Sequence, residues 1–575
     1  MDNISFISSE ILKELPHVLE SWWKIIVTVA NQVNSGLFTN FVSSRVWSEV
    51  ASGYVKSLGH GINIYSTWWT VPIILLFTVS LPLYLVHYRT QKRLRTITSN
   101  LPGPSTLPIL SNVSAFTGCN FVQFFQELVE AINKYGPVVR FWKGDKLYVV
   151  LSNAESIETL LTNKALNKKN TFVSSIASSN GIVTSGDKWK NHRRIISSTF
   201  NSNVLDQFMG NFVENSSILT RKLKSLAGGC IVDIYPFVCA CALDVMCEAT
   251  MGTNVNSQME GNGVFVKILL CAMEEVGETF KKPWTIEDWI HYGKKRNEKD
   301  KEICAKYFHG VVDKVIEDKL ESHRNGFRQN RDGKQVEYLQ WIRGKEMCLL
   351  DLLIQDAKLS LDDIRDELCT LIVTGTRVTA LTCCYVLSLL GVYEEAQDRI
   401  FEEQKNIFGE DILRAATSSD LSSMKYLEQV IKETMRLYPP VPLLFREIEE
   451  DTQLENGYIL PKDSCAVIFS YMTHRNSAYF SDPESFSPER FSGGSHPPYA
   501  YIPFGGGSRI CVAYKYGMME AKTILSAVLR AYRIRTPGGV TSLDRNLQAG
   551  VVLTPANGFS VQLFQRPVSM ISNDS

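Results

Sequence analysis

In the stretch PFGGGSRICVA, residues 503–513, a single cysteine, Cys511, closes a glycine-rich loop and opens onto a helical pattern, AYKYGMMEAKTILSAVLRAY. A cysteine ahead of a helix N-terminus sees unpaired amide N–H groups and the positive end of the helix dipole, and both favour thiolate over thiol. Gly505, Gly506 and Gly507 let the backbone approach something large and flat without Cβ clashes. Phe504 adds an apolar wall, and Arg509, two residues before the cysteine, adds a fixed cation. Thiolate, close backbone, aromatic wall and cation together suit haem, whose iron takes an axial thiolate and whose propionates need positive partners. Two plainer readings compete: an ordinary turn followed by a buried core thiol, and a nucleotide loop. The nucleotide loop fails on spacing, because the run has neither G-x-G-x-x-G nor a Walker lysine.

Other stretches carry fewer chemical cues taken alone. In WKNHRR, Trp189 and Arg193 stand at i, i+4 and share a helix face. By themselves they make a surface basic cluster stacked on a tryptophan, with His192 only a neighbour. Glu433 and Arg436 stand at i, i+3, a spacing that on an exposed helix gives a weak surface bridge. Ser360 and Asp363 form a capping box that opens a long helix. Its centre, LIVTGTRVTALTCCYVLSLL, is apolar nearly all round, as for a helix through the core.

Taken together and in this order, these segments resemble the cytochrome P-450 superfamily of haem-thiolate enzymes. FGGGSRICVA is similar to its cysteine-ligand signature at Phe504, Gly507, Arg509 and Cys511, with Ala513 where glycine is commoner. KETMRLYPPVP resembles the E-x-x-R segment, and Arg490 of SPERF would complete a buried three-charge lock with Glu433 and Arg436. The resemblance runs from about Leu101 to the C-terminus and is closest in texture to the animal microsomal branch around family four. It implies a mainly α fold with a small β region, preceded by a transmembrane helix. It implies haem b held through Cys511 as metal ligand, with Trp189, Arg193, Arg446 and Arg509 donating to the propionates. It also implies a monooxygenase acting on a lipophilic substrate (fatty acid, steroid, terpenoid or xenobiotic), with electrons from NADPH through a flavoprotein reductase.

One segment departs from the family pattern. Where relatives carry a run like EGHDTT, this chain has Thr374-Gly375-Thr376-Arg377-Val378-Thr379. Arg377 stands where the acid would be and Val378 where the alcohol would be, while Gly375 is expected to keep the gap over the haem. Thr374 replaces the glutamate that esterifies haem in family four, so that link should be absent. Oxygen activation needs protons delivered in order, and a hydroxyl backed by a carboxylate does that work. Valine cannot donate, and arginine stays protonated at any useful pH. Thr379 is the substitute hydroxyl, about 100° further round the helix. Arg377 either snorkels to a buried acid or anchors a substrate carboxylate. The latter resembles the peroxygenase branch and leaves peroxide-driven or isomerase-type chemistry as the alternative, with a non-catalytic haem or lipid binder as a third.

The elements that must position these residues fill most of a 575-residue chain with no net charge, which argues against nucleic acid as the main partner. Thirteen cysteines without a CxxC pair or zinc-like spacing suit a reducing compartment. Residues 1–60 form an N-terminal extension whose segment Trp22 to Ala30 is short and contains Lys24, as for an interfacial helix. Residues 61–100 hold the anchor: Trp68 to Val86 carries no charge and is long enough to cross a bilayer, although it would also pass for a buried core helix. Arg89, Lys92, Arg93 and Arg95 then place residues 101–575, the catalytic domain, in the cytosol, and the family texture implies the endoplasmic reticulum membrane. Leu101-Pro102-Gly103-Pro104 reads as a stiff hinge after the anchor. VVRFWKG and KLYVVLS read as a hairpin about a Gly144-Asp145 turn. Residues 203–350 read as helical, and Ser322 to Lys334 reads as a mobile loop.

Overall fold

The helices and strands of the computed structural model follow from where its apolar residues recur. The structure describes residues 92–105, 121–143, 146–163, 168, 185–200, 205–259, 298–329, 348–355, 359–493, 496–544 and 546–566. The expected anchor, the N-terminal extension and the Gly144-Asp145 turn therefore lie outside the described residues, which fall in one compact unit, Lys92–Ser575.

The principal helices are α1 (Phe121–Tyr135), α2 (Ala154–Thr162), α3 (Gly186–Thr199), α4 (Met209–Leu223), α5 (Tyr235–Met251), α6 (Glu298–Gln329), α7 (Leu349–Gln355), α8 (Leu361–Leu390), α9 (Glu394–Phe408), α10 (Lys425–Leu437) and α11 (Tyr514–Ala531). The strands are β1 (Val138–Lys143), β2 (Lys146–Leu151), β3 (Ile231–Asp233), β4 (Leu443–Glu447), β5 (Thr452–Gln453), β6 (Ile459–Leu460), β7 (Cys465–Phe469), β8 (Tyr532–Arg535), β9 (Leu547–Ala549), β10 (Leu553–Pro555) and β11 (Ser560–Gln565). The main sheet has the order β1-β2-β7-β4, and a second has the order β3-β11-β8. The expected hairpin is present, with Val138 opposite Leu151 and Lys143 opposite Lys146. Strand β7 runs parallel to β2 and antiparallel to β4, which fixes Arg446 opposite Ala466.

Helix α8 is the axis of the core. Ser360 accepts from the Asp363 amide at 3.1 Å, and the Ser360 amide donates back to Asp363 Oδ2 at 3.3 Å, so the capping box closes as its sequence requires. From Ala380 to Leu390 every residue is buried, which explains the absence of a polar stripe. Among the described residues this is the one helix long and apolar enough to span a bilayer, and it lies mostly inside the protein, as a core helix does. Helix α5, buried throughout from Val238 to Met251 except at Glu248, packs along it. At Gly375 an added Cβ would sit 2.7 Å from Met246 Cε, so the glycine makes room there for a methionine of α5.

Two expectations are overturned. Residues 322–329, read as part of a mobile loop, continue α6 to Gln329, and 330–334 lie outside the described residues. Polar composition misled here, because the helix is seeded by its buried residues Phe308, Val312 and Ile316 and is carried onward by cooperativity. The region expected to be helical also contains the strand β3, which pairs with β11. The proline-rich segment is fastened to the main sheet: Leu101 is buried, and the Arg140 amide donates to the Pro102 carbonyl at 2.9 Å.

Candidate functional site

The loop before α11 is built to present Cys511. Gly505 and Gly507 adopt φ of 71° and 64°, the left-handed region that side chains resist. At Gly507 the requirement is absolute, since a Cβ would lie 2.1 Å from the Leu161 carbonyl oxygen at the end of α2. The Cys511 amide donates to the Phe504 carbonyl at 2.9 Å, which closes the loop into a ring and spends the cysteine's own N–H on the backbone. Phe504, half-buried, packs against the core beside Tyr514. Eight of the ten free cysteines among the described residues are buried, whereas Cys511 is exposed. The buried-thiol reading thus fits its neighbours and not this residue.

Three guanidinium groups converge beside the loop. Arg509 lies with its guanidinium 3.7 Å from the ring centroid of Trp189 and donates to Ser185 Oγ at 3.4 Å. Burial, with the like charges of Arg446 and Arg193 added, pushes Arg509 down to about 9. Arg446, buried on β4, is pushed down to about 10 by burial. Arg193 is lowered by burial, with a Cys511 thiolate acting in the opposite direction. Like charges gathered and partly desolvated in this way call for an anion to join them. The donors expected to hold two propionates, Trp189 and Arg193 from α3, Arg446 from β4 and Arg509 from the loop, are brought together by three separate elements. The residues present therefore fit haem: a reachable thiolate, a glycine cradle without Cβ atoms and a cationic rim.

The E-x-x-R lock lies behind this loop. Arg436 donates to Glu433 through Nε at 2.8 Å and Nη2 at 2.9 Å, and Arg490 Nε reaches the same carboxylate at 3.1 Å. Arg436 also donates to the carbonyls of His474 at 2.9 Å, Pro483 at 2.6 Å and Ser485 at 3.0 Å. His474 Nε2 in turn accepts from the Ile502 amide at 2.9 Å, just before the glycines. The lock is thus wired to the base of the cysteine loop. Burial first, then the Arg436 charge, push His474 down to about 3, so it stays neutral and can accept.

On α8, Val378 is half-exposed, with Gly375 and Thr374 beside it. Thr374 donates to the Thr370 carbonyl at 2.7 Å. Arg377 is buried, and its charge acts on Tyr235 and Cys239 in the first turn of α5. Thr379 points elsewhere and donates to Glu520 Oε2 of α11 at 3.2 Å. Burial raises the Glu520 carboxyl well above the usual range, with the Thr379 hydrogen bond acting in the opposite direction. Thr376 Oγ1, Glu520 Oε1 and Tyr516 Oη are buried without protein partners. Sequence reasoning missed Glu520, whose partner lies 141 residues away, and it underrated His192, which is buried with Nδ1 2.5 Å from Glu367 Oε1.

Residues 101–563 match the family model described as Cytochrome P450. The chain is similar to Cytochrome P450 4V2 of Homo sapiens, 33% identical over 459 residues covering 77% of this chain and 86% of that protein. It is similar also to Cytochrome P450 4c3 of Drosophila melanogaster, 31% identical over 545 residues, 91% of this chain and 100% of that protein. Cytochrome P450 4d2 of the same fly is 31% identical over 477 residues, 81% of this chain and 94% of that protein.

Proposed function

Since the chain belongs to the cytochrome P450 family, in its family-four branch, and is an oxidoreductase of the monooxygenase kind, we propose that it inserts one oxygen atom into a fatty acid, steroid, terpenoid or xenobiotic. Its electrons come from NADPH through a flavoprotein reductase, and it works at the endoplasmic reticulum membrane with the catalytic domain in the cytosol. Cys511 is the proximal ligand of haem b. Trp189, Arg193, Arg446 and Arg509 hold the propionates, while Phe504 and Gly507 shape the ligand loop. The observation that carries this reading is the convergence of Arg193, Arg446 and Arg509 beside an exposed Cys511. Haem bound through a cysteine thiolate supplies oxygen activation, because the thiolate pushes electron density toward the iron. The purified full-length protein, given a reductase and NADPH, is expected to convert at least one lipophilic substrate that shifts its Soret band. Product with added peroxide and none with reductase would instead establish the peroxide-driven alternative.

The protons are a separate question, since Val378 has none to give. Thr379 and Glu520 form a buried acid–alcohol pair, and two further buried oxygens, Thr376 Oγ1 and Tyr516 Oη, have no protein partner. A carboxyl whose hold on its proton is strengthened by burial can both give and receive one, so we propose this pair for the work of the acid and alcohol lost at 377 and 378. Glu520→Gln keeps the shape of the pair and removes the exchangeable acid. It is expected to lower product formed per NADPH several-fold while sparing haem content. Unchanged coupling in that variant would rule the pair out.

A further inference from the structure

Helix α3, which carries Trp189 and Arg193, is tied to α8 by two rungs one turn apart. Lys188 Nζ lies 2.6 Å from Asp363 Oδ1, and His192 Nδ1 lies 2.5 Å from Glu367 Oε1. The rungs repeat at i, i+4 on both helices, so they meet only in one register. They differ in setting. The Lys188 side chain is 41% exposed, whereas His192 and Glu367 are 3% and 0% exposed, and Glu367 Oε2 has no partner. A carboxylate buried with a single polar partner is a poor route to stability, because its desolvation offsets most of what the contact returns. What such a pair does well is fix one arrangement against its neighbours.

The arrangement it fixes is the one the anion cradle needs. Trp189 lies three residues before His192 and Arg193 one residue after, so a slip of α3 by one residue would swing both by about 100°. Trp189 would leave the guanidinium of Arg509, now 3.7 Å from its ring centroid, and Arg193 would leave the vicinity of Cys511. We infer that His192 and Glu367 are a positioning pair that pins α3 in register on α8 and thereby sets how tightly Trp189 and Arg193 grip the haem propionates. The inference rests on the haem-thiolate reading above.

The test compares full-length holoprotein variants by the rate at which haem transfers to excess apomyoglobin, alongside their thermal unfolding. His192→Ala and Glu367→Ala are expected to speed haem loss about ten- to hundredfold, the usual cost of removing an outer partner of a ligating group. His192→Asn, whose amide nitrogen can stand where Nδ1 stood, should restore most of the slow rate and folds even if His192→Ala does not. Lys188→Ala, on the exposed rung, should change the rate less than about twofold. A lowered melting temperature with unchanged haem loss would mark the pair as structural filling and overturn the inference. So would haem loss in His192→Asn as fast as in a folded His192→Ala. A wild-type protein with no thiolate-type reduced-CO band would instead overturn the haem reading itself, before any variant is compared.

Discussion

Cys511→Ala is expected to yield a folded protein with no thiolate-type Soret band in its reduced-CO spectrum and no turnover. Alanine offers the iron no lone pair, so the axial bond and its electron donation vanish together. The fold should survive, for two reasons. The bond that closes the loop, from the 511 amide to the Phe504 carbonyl, is a backbone contact that the substitution leaves intact. The side chain is also exposed, so its removal opens no core cavity. Thermal unfolding near that of the wild type, together with lost spectra, would assign the defect to ligation alone. A normal band in this variant would refute Cys511 as the ligand.

Arg436→Ala should act through the fold, with a cost of about 3–5 kcal/mol, the range for stripping one partner from a buried ion pair. Both Arg436 and Glu433 have side chains with 0% exposure, so neither charge can turn to water when the other is lost. The substitution also frees the carbonyls of His474 and Pro483 to find another donor inside the protein, and leaves that of Ser485 with only the long 3.4 Å bond from Arg490 Nη2. The strain reaches the cofactor loop, because His474 also receives the Ile502 amide. Expression with little bound haem and a steeply lowered melting temperature is the expected result. Arg436→Lys should rescue little, since an ammonium cannot replace the planar fork that meets Glu433 with two bonds. A variant within about 1 kcal/mol of wild type would show the lock to be no more than a surface-grade bridge.

The cysteine loop, the E-x-x-R pair and the shared face of Trp189 and Arg193 were legible as arrangements because each depends on neighbours in sequence, while the donor roles expected of Trp189, Arg193 and Arg446 came from the family resemblance. Glycines precede the cysteine, i, i+3 places Arg436 against Glu433, and i, i+4 puts Trp189 and Arg193 on one face. Glu520 and the His192–Glu367 pair were not legible, because their partners lie 141 and 175 residues away and no periodicity links them. Gly375 was only partly legible for a related reason. A glycine in a helix announces close approach but not of what, and here the visitor is Met246. The tail of α6 failed differently: Ser322 to Gln329 looks like a loop by composition, yet it extends a helix already under way.

Strand β11 is made long after β3, yet it is the middle of its sheet, with β3 on one side and β8 on the other. The Asp233 carboxylate at the end of β3 receives the amide of Phe559, made 326 residues later. A nascent chain must therefore carry β3 without its neighbour until β11 has been made, a long delay for an element that cannot pair locally. Holding chaperones are the natural guardians of that interval. A premature stop between Arg535 and Ser560 would leave β3 and β8 without the strand that joins them, however complete the machinery encoded before it.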